Sequence, residues 1–186
     1  MNVTVSPGRP LQGSVRLPAD KSISHRAALL SGIGTGTSEI HGFSRAVDPA
    51  STLSCLRQLG VEWARDGTHV RVEGRGLRGL REAEAAVDCG NSGTTMRLLT
   101  GILAGQSFPS QLTGDASLRA RPMERIADPL RQMGAQIGLT EDHAPIAVEP
   151  AERLEGITYP LPIPSAQVKS CVLLAGLYAE GTTTVI

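Results

Sequence analysis

One pattern recurs three times along the chain and constrains its fold more than any other feature. Each copy consists of a polar cluster, two leucines, a small residue and a glycine. The copies run from Lys21 to Gly32, from Asn91 to Gly101 and from Ser165 to Gly176. In each copy the apolar run predicts a helix, a strand-like run follows, and the glycine is a candidate for a helix C-cap or for close packing. The chain therefore repeats one supersecondary unit.

A second kind of helix alternates with the first. Asp48-Pro49 opens one that ends at Gly60, and its counterpart starts near Pro122 and ends at Gly134. Proline in the first turn and glycine just past the end are the usual asymmetry of helix termini. Two strand-like runs follow each of these helices, and His69 to Glu73 alternates as a half-buried strand does. The unit reads as polar loop, helix, strand, helix, strand, strand.

These units predict an α/β (α+β) fold of repeated βαβαββ subdomains around a pseudo-threefold axis. The repeat length of about 70 residues exceeds the 20–50 residues of solenoid repeats. The units span approximately residues 11–80, 81–156 and 157–186. The last holds its polar loop and first helix but lacks its second helix and final strands. We therefore expect residues 1–186 to be an incomplete N-terminal domain, with two units complete and a third truncated.

Composition excludes some classes of protein. Eighteen basic and 18 acidic residues give a formal net charge of zero, and only 3% of residues are aromatic. The chain thus has neither the basic field nor the aromatic platform that nucleic-acid binders use. With 40% hydrophobic residues it can bury an aliphatic core.

The cysteines and the N-terminus indicate a compartment. The three cysteines, Cys55, Cys89 and Cys171, are widely spaced, which argues against a disulfide framework or a zinc site and favours packing roles. Met1 to Pro10 has no apolar signal-peptide core, and no apolar run is long enough to cross a membrane. A cytoplasmic protein without membrane contact is expected.

The polar loops predict the chemistry. Units arranged around one axis would bring their loops together at one end, where free N–H groups, helix dipoles and cations favour anions. Gly93 can let a ligand approach the backbone closely. No Ser-His-Asp order or paired-carboxylate motif occurs, so transfer between two bound anionic ligands is favoured over hydrolysis. Asp20 or Ser22 is a candidate N-cap of the helix after the first loop, and a capped surface helix with a basic first turn is the alternative for that loop.

A further segment, Leu112 to Met123, is expected to be a loop, and it carries Arg119 and Arg121 just before a helix. Arginine binds a carboxylate or a phosphate through two parallel hydrogen bonds, and the helix N-terminus favours an anion there. A solvated basic turn is the alternative for this segment.

Four segments together resemble the N-terminal signatures of the bacterial 5-enolpyruvylshikimate-3-phosphate synthase family, in its order and spacing: Pro18 to Arg26, Gly90 to Arg97, Gly114 to Met123 and Ser165 to Ser170. The resemblance implies a two-domain enolpyruvyl transferase of the shikimate pathway, which serves chorismate and aromatic amino-acid biosynthesis. The family moves the enolpyruvyl group of phosphoenolpyruvate to the 5-hydroxyl of shikimate 3-phosphate and releases phosphate. It needs no metal or organic cofactor, and it is the target of glyphosate.

The resemblance also implies roles for individual residues. The catalytic set would be Lys21, Asn91 and Gln167. The shikimate 3-phosphate-binding set would be Lys21, Ser22, Arg26, Ser165, Ala166 and Gln167. The phosphoenolpyruvate-binding set would be Lys21, Gly93, Arg121 and Gln167. The supporting set would be Asp48, Thr94 and Arg97.

The chain departs from the family pattern in two ways. Ala166 stands where some members have a second serine, although its backbone N–H could still bind phosphate. The family's acidic proton-transfer residues have no match, so the isolated chain is expected to be inactive. A binding module for shikimate 3-phosphate, or a split-enzyme half that needs a separate C-terminal half, is the main alternative. A related enolpyruvyl transferase that acts on a UDP-sugar is disfavoured. Its loop usually carries a reactive cysteine, and no cysteine lies between Gly114 and Pro122 here.

Overall fold

A computed structural model describes residues 3–4, 8, 10, 12–15 and 17–186. The expectations for Met1 to Pro10 and for the start of the first unit at residue 11 therefore lie largely outside the described residues. The helices are α1 (Lys21–Ile33), α2 (Val47–Gln58), α3 (Gly93–Leu103), α4 (Ala116–Arg119), α5 (Glu124–Gln132) and α6 (Ala166–Gly176). The strands are β1 (Thr35–Ile40), β2 (Glu62–Asp66), β3 (His69–Arg75), β4 (Val87–Asp88), β5 (Ser110–Thr113), β6 (Gln136–Thr140), β7 (His143–Glu149), β8 (Leu154–Glu155), β9 (Thr158–Tyr159), β10 (Ala179–Glu180) and β11 (Thr184–Val185).

The sheets follow the repeat. Strands β1, β3 and β2 form an antiparallel sheet in that order. The next sheet has the order β4-β5-β7-β6, in which only the β4-β5 pair is parallel. Two short parallel pairs, β10-β8 and β11-β9, carry α6 between their strands. The α/β class is thus confirmed, whereas the pseudo-threefold axis and the unit boundaries stay predictions.

Two local differences from the sequence prediction stand out. Residues 116–119, expected to lie in a loop, form the short helix α4, because Asp115 caps it by accepting a 2.7 Å hydrogen bond from the Leu118 N–H. Within the described residues 12–15 and 17–20 no strand precedes α1, whereas β4 precedes α3.

Each helix that begins a repeat is capped by a side chain. Asp20 accepts a 2.7 Å hydrogen bond from the Ile23 N–H at the start of α1, as expected. Ser92 caps α3 and Ser165 caps α6 in the same way. A cap satisfies one of the orphan N–H groups and leaves others of the first turn available to a ligand.

The repeated glycines serve close packing rather than capping. Gly32 and Gly101 lie inside their helices, and neither has a positive φ. A Cβ on Gly101 would lie 3.1 Å from the backbone carbonyl carbon of Cys171 in α6, and still closer to its oxygen. A Cβ on Gly32 would lie 2.9 Å from Leu56 Cδ2. The third glycine, Gly176, lies similarly close to Thr183. The packing alternative is therefore correct.

The cysteines pack in the core. Cys55, Cys89 and Cys171 are free and buried, as expected. Burial raises the pKa of the Cys171 thiol to about 12.

Helix α3 is buried on nearly every side, and α6 packs closely against it. Among the described residues, no helix has the length and apolar character needed to cross a membrane.

Candidate functional site

The first turns of α3 and α6 are joined by polar side chains. Gln167 on α6 donates a 2.9 Å hydrogen bond from its amide to Thr94 Oγ1 on α3. Its amide oxygen accepts a 2.8 Å hydrogen bond from Arg97 Nη1. The same guanidinium donates through Nη2 to the Pro122 carbonyl at 3.2 Å. Three of the predicted site residues, Thr94, Arg97 and Gln167, are thus in direct contact.

Asn91 links two other segments at this end of the fold. Its side-chain oxygen accepts a 2.6 Å hydrogen bond from Arg121 Nη2, and its amide donates a 2.7 Å hydrogen bond to Asp115 Oδ2. These bonds to Asn91 and to the Leu118 N–H lower the pKa of the Asp115 carboxyl below its usual value. Asn91 is therefore held in one orientation, with Arg121 beside it.

Gly93 lies under two guanidinium groups. A Cβ placed on it would lie 2.8 Å from Arg97 Nη1 and 3.2 Å from Arg121 Nη1. Gly93 is also the first residue of α3, where free N–H groups and the helix dipole attract negative charge. Two arginines over a helix N-terminus form an arrangement suited to a phosphate or a carboxylate.

Arg97 is the most buried charge of this group. It is only 7% exposed, and its Nε has no hydrogen-bond partner within the part of the chain that the structure describes. Burial lowers the pKa of its guanidinium, and the nearby cations Arg125 and Arg121 lower it further. Two neighbouring cations thus act on a buried guanidinium, and this concentration of positive charge favours an anionic ligand.

Lys21 and Arg26 occupy the first two turns of α1. Lys21 Nζ forms a 2.8 Å ion pair with Asp48 Oδ2 on α2, and the Lys21 side chain is 51% exposed. Arg26 donates to Ser170 Oγ on α6 at 2.6 Å and to the Ser22 carbonyl at 3.0 Å. Arg26 therefore connects α1 to α6, and α6 in turn contacts α3 through Gln167.

The remaining predicted residues lie at helix starts. Ser22 is exposed in the first turn of α1. Ser165 caps α6, and its Oγ accepts from the Val168 N–H at 3.3 Å. Ala166 is the first residue of α6 and is exposed, so its side chain does not obstruct a ligand at this terminus.

Sequence reasoning missed three residues of the site: Asp115, Arg125 and Ser170. Asp115 stands three residues before Leu118, which is the spacing of a helix cap and could have been recognised. Arg125 stands four residues after Arg121, so the extra cation was visible in the sequence. The contact of Ser170 with Arg26 spans 144 residues, and no local pattern indicates it.

The described residues contain no group of three His, Cys, Asp or Glu side chains that could hold a metal ion.

Comparison with known proteins finds relatives that match nearly the whole chain. A family model for EPSP synthase (3-phosphoshikimate 1-carboxyvinyltransferase) matches residues 5–186. The 3-phosphoshikimate 1-carboxyvinyltransferase of Salinibacter ruber is 58% identical over 98% of this chain, and the match covers 43% of that protein. The corresponding protein of Methylococcus capsulatus is 52% identical over 98% of the chain, which is 42% of its own length. The EPSP synthase structure from Acinetobacter baumannii superposes with a TM-score of 0.90 at 48% identity, covering 93% of this chain and 40% of that one.

The fold is that of an enolpyruvyl transferase-like protein of mixed α/β structure. The match to the family model extends over nearly the whole chain. The chain belongs to the EPSP synthase family. It spans about 43% of the length of the curated relatives that it matches.

Proposed function

We propose that this chain supplies the shikimate 3-phosphate half-site and part of the phosphoenolpyruvate site of a 3-phosphoshikimate 1-carboxyvinyltransferase. The enzyme would join the 5-hydroxyl oxygen of shikimate 3-phosphate to the enolpyruvyl carbon of phosphoenolpyruvate and release phosphate. The carrying observation is the placement of Arg97 and Arg121 over Gly93 at the N-terminus of α3. Membership in the family supports the same reaction.

The proposed phosphoenolpyruvate site uses Gly93, Arg121 and Gln167, with Thr94 and Arg97 in support. The two guanidinium groups would neutralise the ligand's phosphate and carboxylate, because charge-assisted bonds from arginine are strong and directional. Gln167 contacts Arg97 and Thr94, so it would fix these groups against the second substrate. Asn91 holds Arg121 and would keep it aimed at the departing phosphate.

The proposed shikimate 3-phosphate site uses Lys21, Ser22, Arg26, Ser165 and Ala166. Lys21 is paired with Asp48 but half exposed, so it can turn toward a substrate phosphate or hydroxyl while Asp48 keeps it near. The first turn of α6 offers free N–H groups to the 3-phosphate. The proton of the 5-hydroxyl and the proton for the methylene carbon would be handled by groups outside residues 1–186.

We propose the cytoplasm as the compartment, which the three free buried cysteines support.

A calorimetric titration of the chain with shikimate 3-phosphate tests this proposal. We expect saturable binding, and we expect Lys21→Ala to weaken it by about tenfold to a hundredfold, because one charge-assisted contact is lost. Arg153→Ala is the matched control, since the Arg153 side chain is exposed and forms surface ion pairs with Glu155 and Glu180. Absence of binding by a cooperatively folded chain would contradict the proposal.

Gly93→Ala is expected to weaken phosphoenolpyruvate binding to the complex with shikimate 3-phosphate by about tenfold, because one guanidinium contact is displaced. The new Cβ would lie only 2.8 Å from Arg97 Nη1 and would force that nitrogen to move. The binding of glyphosate, the expected inhibitor, should be weakened in the same way. The readout is the dissociation constant of each ligand, with Gly8→Ala as the control because a Cβ there meets open space. Equal constants for Gly93→Ala and the unchanged chain would refute the assignment.

A split-enzyme half is a second candidate, and a groove between α1 and α6 favours it. Leu30, Leu173 and Leu177 line this groove and are 50%, 42% and 48% exposed. Leu99, which matches Leu30 in the second copy of the repeat, is fully buried. Helix α2 lies against both α1 and α3, and a helix of that kind in the groove would cover the exposed leucines. Phosphate release upon mixing with a separately produced C-terminal half would identify a split enzyme, and inactivity of the mixture would exclude one.

A further inference from the structure

A row of buried polar side chains joins α1, α2 and α3. His25 Nδ1 on α1 lies 2.7 Å from Thr52 Oγ1 on α2. Thr52 Oγ1 lies 2.7 Å from Thr95 Oγ1 on α3, and Thr95 Oγ1 lies 2.8 Å from Ser92 Oγ. All four residues are completely buried. The row ends at Ser92, the N-cap of the helix that begins with Gly93.

The row has a preferred direction of hydrogen bonding. If Thr95 donates to Ser92, Thr52 must donate to Thr95, and the Nδ1–H of His25 must donate to Thr52. The opposite order would place the proton of His25 on Nε2, which is buried and has no partner among the described residues. A buried donor without a partner is rarer than a buried acceptor without one. His25 is therefore a neutral donor at Nδ1, and its pKa is lowered to about 4, mainly by burial.

The same helices carry the Lys21–Asp48 ion pair one turn away. Lys21 and His25 are four residues apart on α1, and Asp48 and Thr52 are four residues apart on α2, so each pair lies on one helix face. The contact between α1 and α2 thus combines an exposed ion pair, Lys21–Asp48, with a buried neutral hydrogen bond, His25–Thr52. The buried hydrogen bond would fix the register in which Lys21 meets Asp48.

Apolar side chains would pack these helices together without this row. Burying polar groups carries a desolvation cost that their hydrogen bonds only partly offset. In return, the bonds are directional, so they fix the rotation and the axial position of each helix more narrowly than aliphatic contacts do. The row connects the helix that carries Lys21 to the cap of the helix that carries Gly93 and Arg97.

We propose that His25, Thr52 and Thr95 are positioning residues that hold the Lys21 end of α1 in register with the Gly93 end of α3. These three residues touch no ligand. They act through the first turns of α1 and α3, which would contact the substrates. The inference rests on the proposed function, because it assigns the two turns to substrates that react with each other. It adds that the spacing between the two half-sites is set by neutral hydrogen bonds and not by the exposed ion pair.

Thr52→Val tests the proposal, with Thr52→Ser as the conservative rescue. Valine keeps the size of threonine but removes the hydroxyl that links His25 to Thr95, whereas serine retains it. We expect Thr52→Val to weaken shikimate 3-phosphate binding about tenfold at a temperature where the chain is fully folded, and Thr52→Ser to restore it. Ile137→Ala, a core substitution in β6, is the control for destabilisation alone and should lower the melting temperature without changing the dissociation constant.

Nuclear magnetic resonance supplies a readout that does not depend on the substrate. Thr52→Val should shift the ¹⁵N resonances of the His25 ring and the backbone amides of Lys21 and Gly93, and Ile137→Ala should leave them in place. Unchanged amides in folded Thr52→Val, or substrate binding equal to that of the unchanged chain, would overturn the positioning role. If the amides shift as expected but the unchanged chain binds no shikimate 3-phosphate, the positioning role stands and the proposed function fails.

Discussion

Gly101→Ala is expected to lower the free energy of unfolding by about 3 kcal/mol, at the upper end of the usual cost of overpacking a core. The added Cβ would lie 3.1 Å from the backbone carbonyl carbon of Cys171 and nearer still to its oxygen. Backbone atoms of a buried helix cannot rotate away, so α3 and α6 would have to separate along their contact. Urea denaturation monitored by circular dichroism measures the change.

Gly32→Ala is the matched control, because Gly32 occupies the same place in the first copy of the repeat. Its Cβ would meet Leu56 Cδ2 at 2.9 Å, and that methyl group is the far end of a flexible side chain. Alanine also gains about 1 kcal/mol of helix propensity over glycine, which offsets the adjustment of Leu56. We expect Gly32→Ala to remain within about 1 kcal/mol of the unchanged chain. Equal losses for the two substitutions would contradict the backbone-clash explanation.

The elements that the sequence predicted correctly are those that depend on local pattern. Periodicity and helix-end residues placed α1, α2, α3 and α6, because capping and amphipathicity act over a few residues. Asp20 was a candidate cap from its position alone, and it is the cap. The short helix α4 was missed, since a few residues of loop-like composition become helical once Asp115 caps them.

The contacts that build the site could not be predicted in the same way. Arg97 and Gln167 are 70 residues apart, and Arg26 and Ser170 are 144 apart, so only the tertiary arrangement of α1, α3 and α6 brings them together. The candidate residues themselves were predicted from the resemblance. Their hydrogen-bond partners follow from the crossing of the helices, which the repeat does not specify.

Burial within the repeat shows the same limit. Leu29 is fully buried and Leu30 is half exposed, although they are adjacent members of one apolar run. In the third copy the order is reversed, since Leu173 is 42% exposed and Leu174 is buried. The pattern of leucines is identical, but the neighbours on each side of the helix differ. Which leucine faces the core therefore depends on tertiary structure.

His25 makes the stability of the fold depend on pH below neutrality. Its pKa is about 4 in the folded chain, against an ordinary value of 6.5, chiefly because burial disfavours the charged ring. Lys21 and Arg26 lower the pKa further, and Asp48 opposes them. Well above pH 6.5 the ring is neutral in both states and contributes no pH dependence. As the pH falls from 6.5 to 4, the unfolded chain binds a proton that the folded chain excludes, so stability falls. The total loss is about 3 kcal/mol.

His25→Asn isolates this contribution, because asparagine cannot titrate but keeps an amide that can donate to Thr52. Urea denaturation of both proteins between pH 7 and pH 4 gives two curves of unfolding free energy, and the difference between the curves cancels contributions that the two proteins share. We expect the unchanged chain to lose stability relative to His25→Asn as the pH falls, with most of the divergence below pH 6.5. Parallel curves would mean that His25 titrates alike in both states. In that case its ring would reach water in the folded chain, and the buried row from His25 to Ser92 would not exist as the structure describes it.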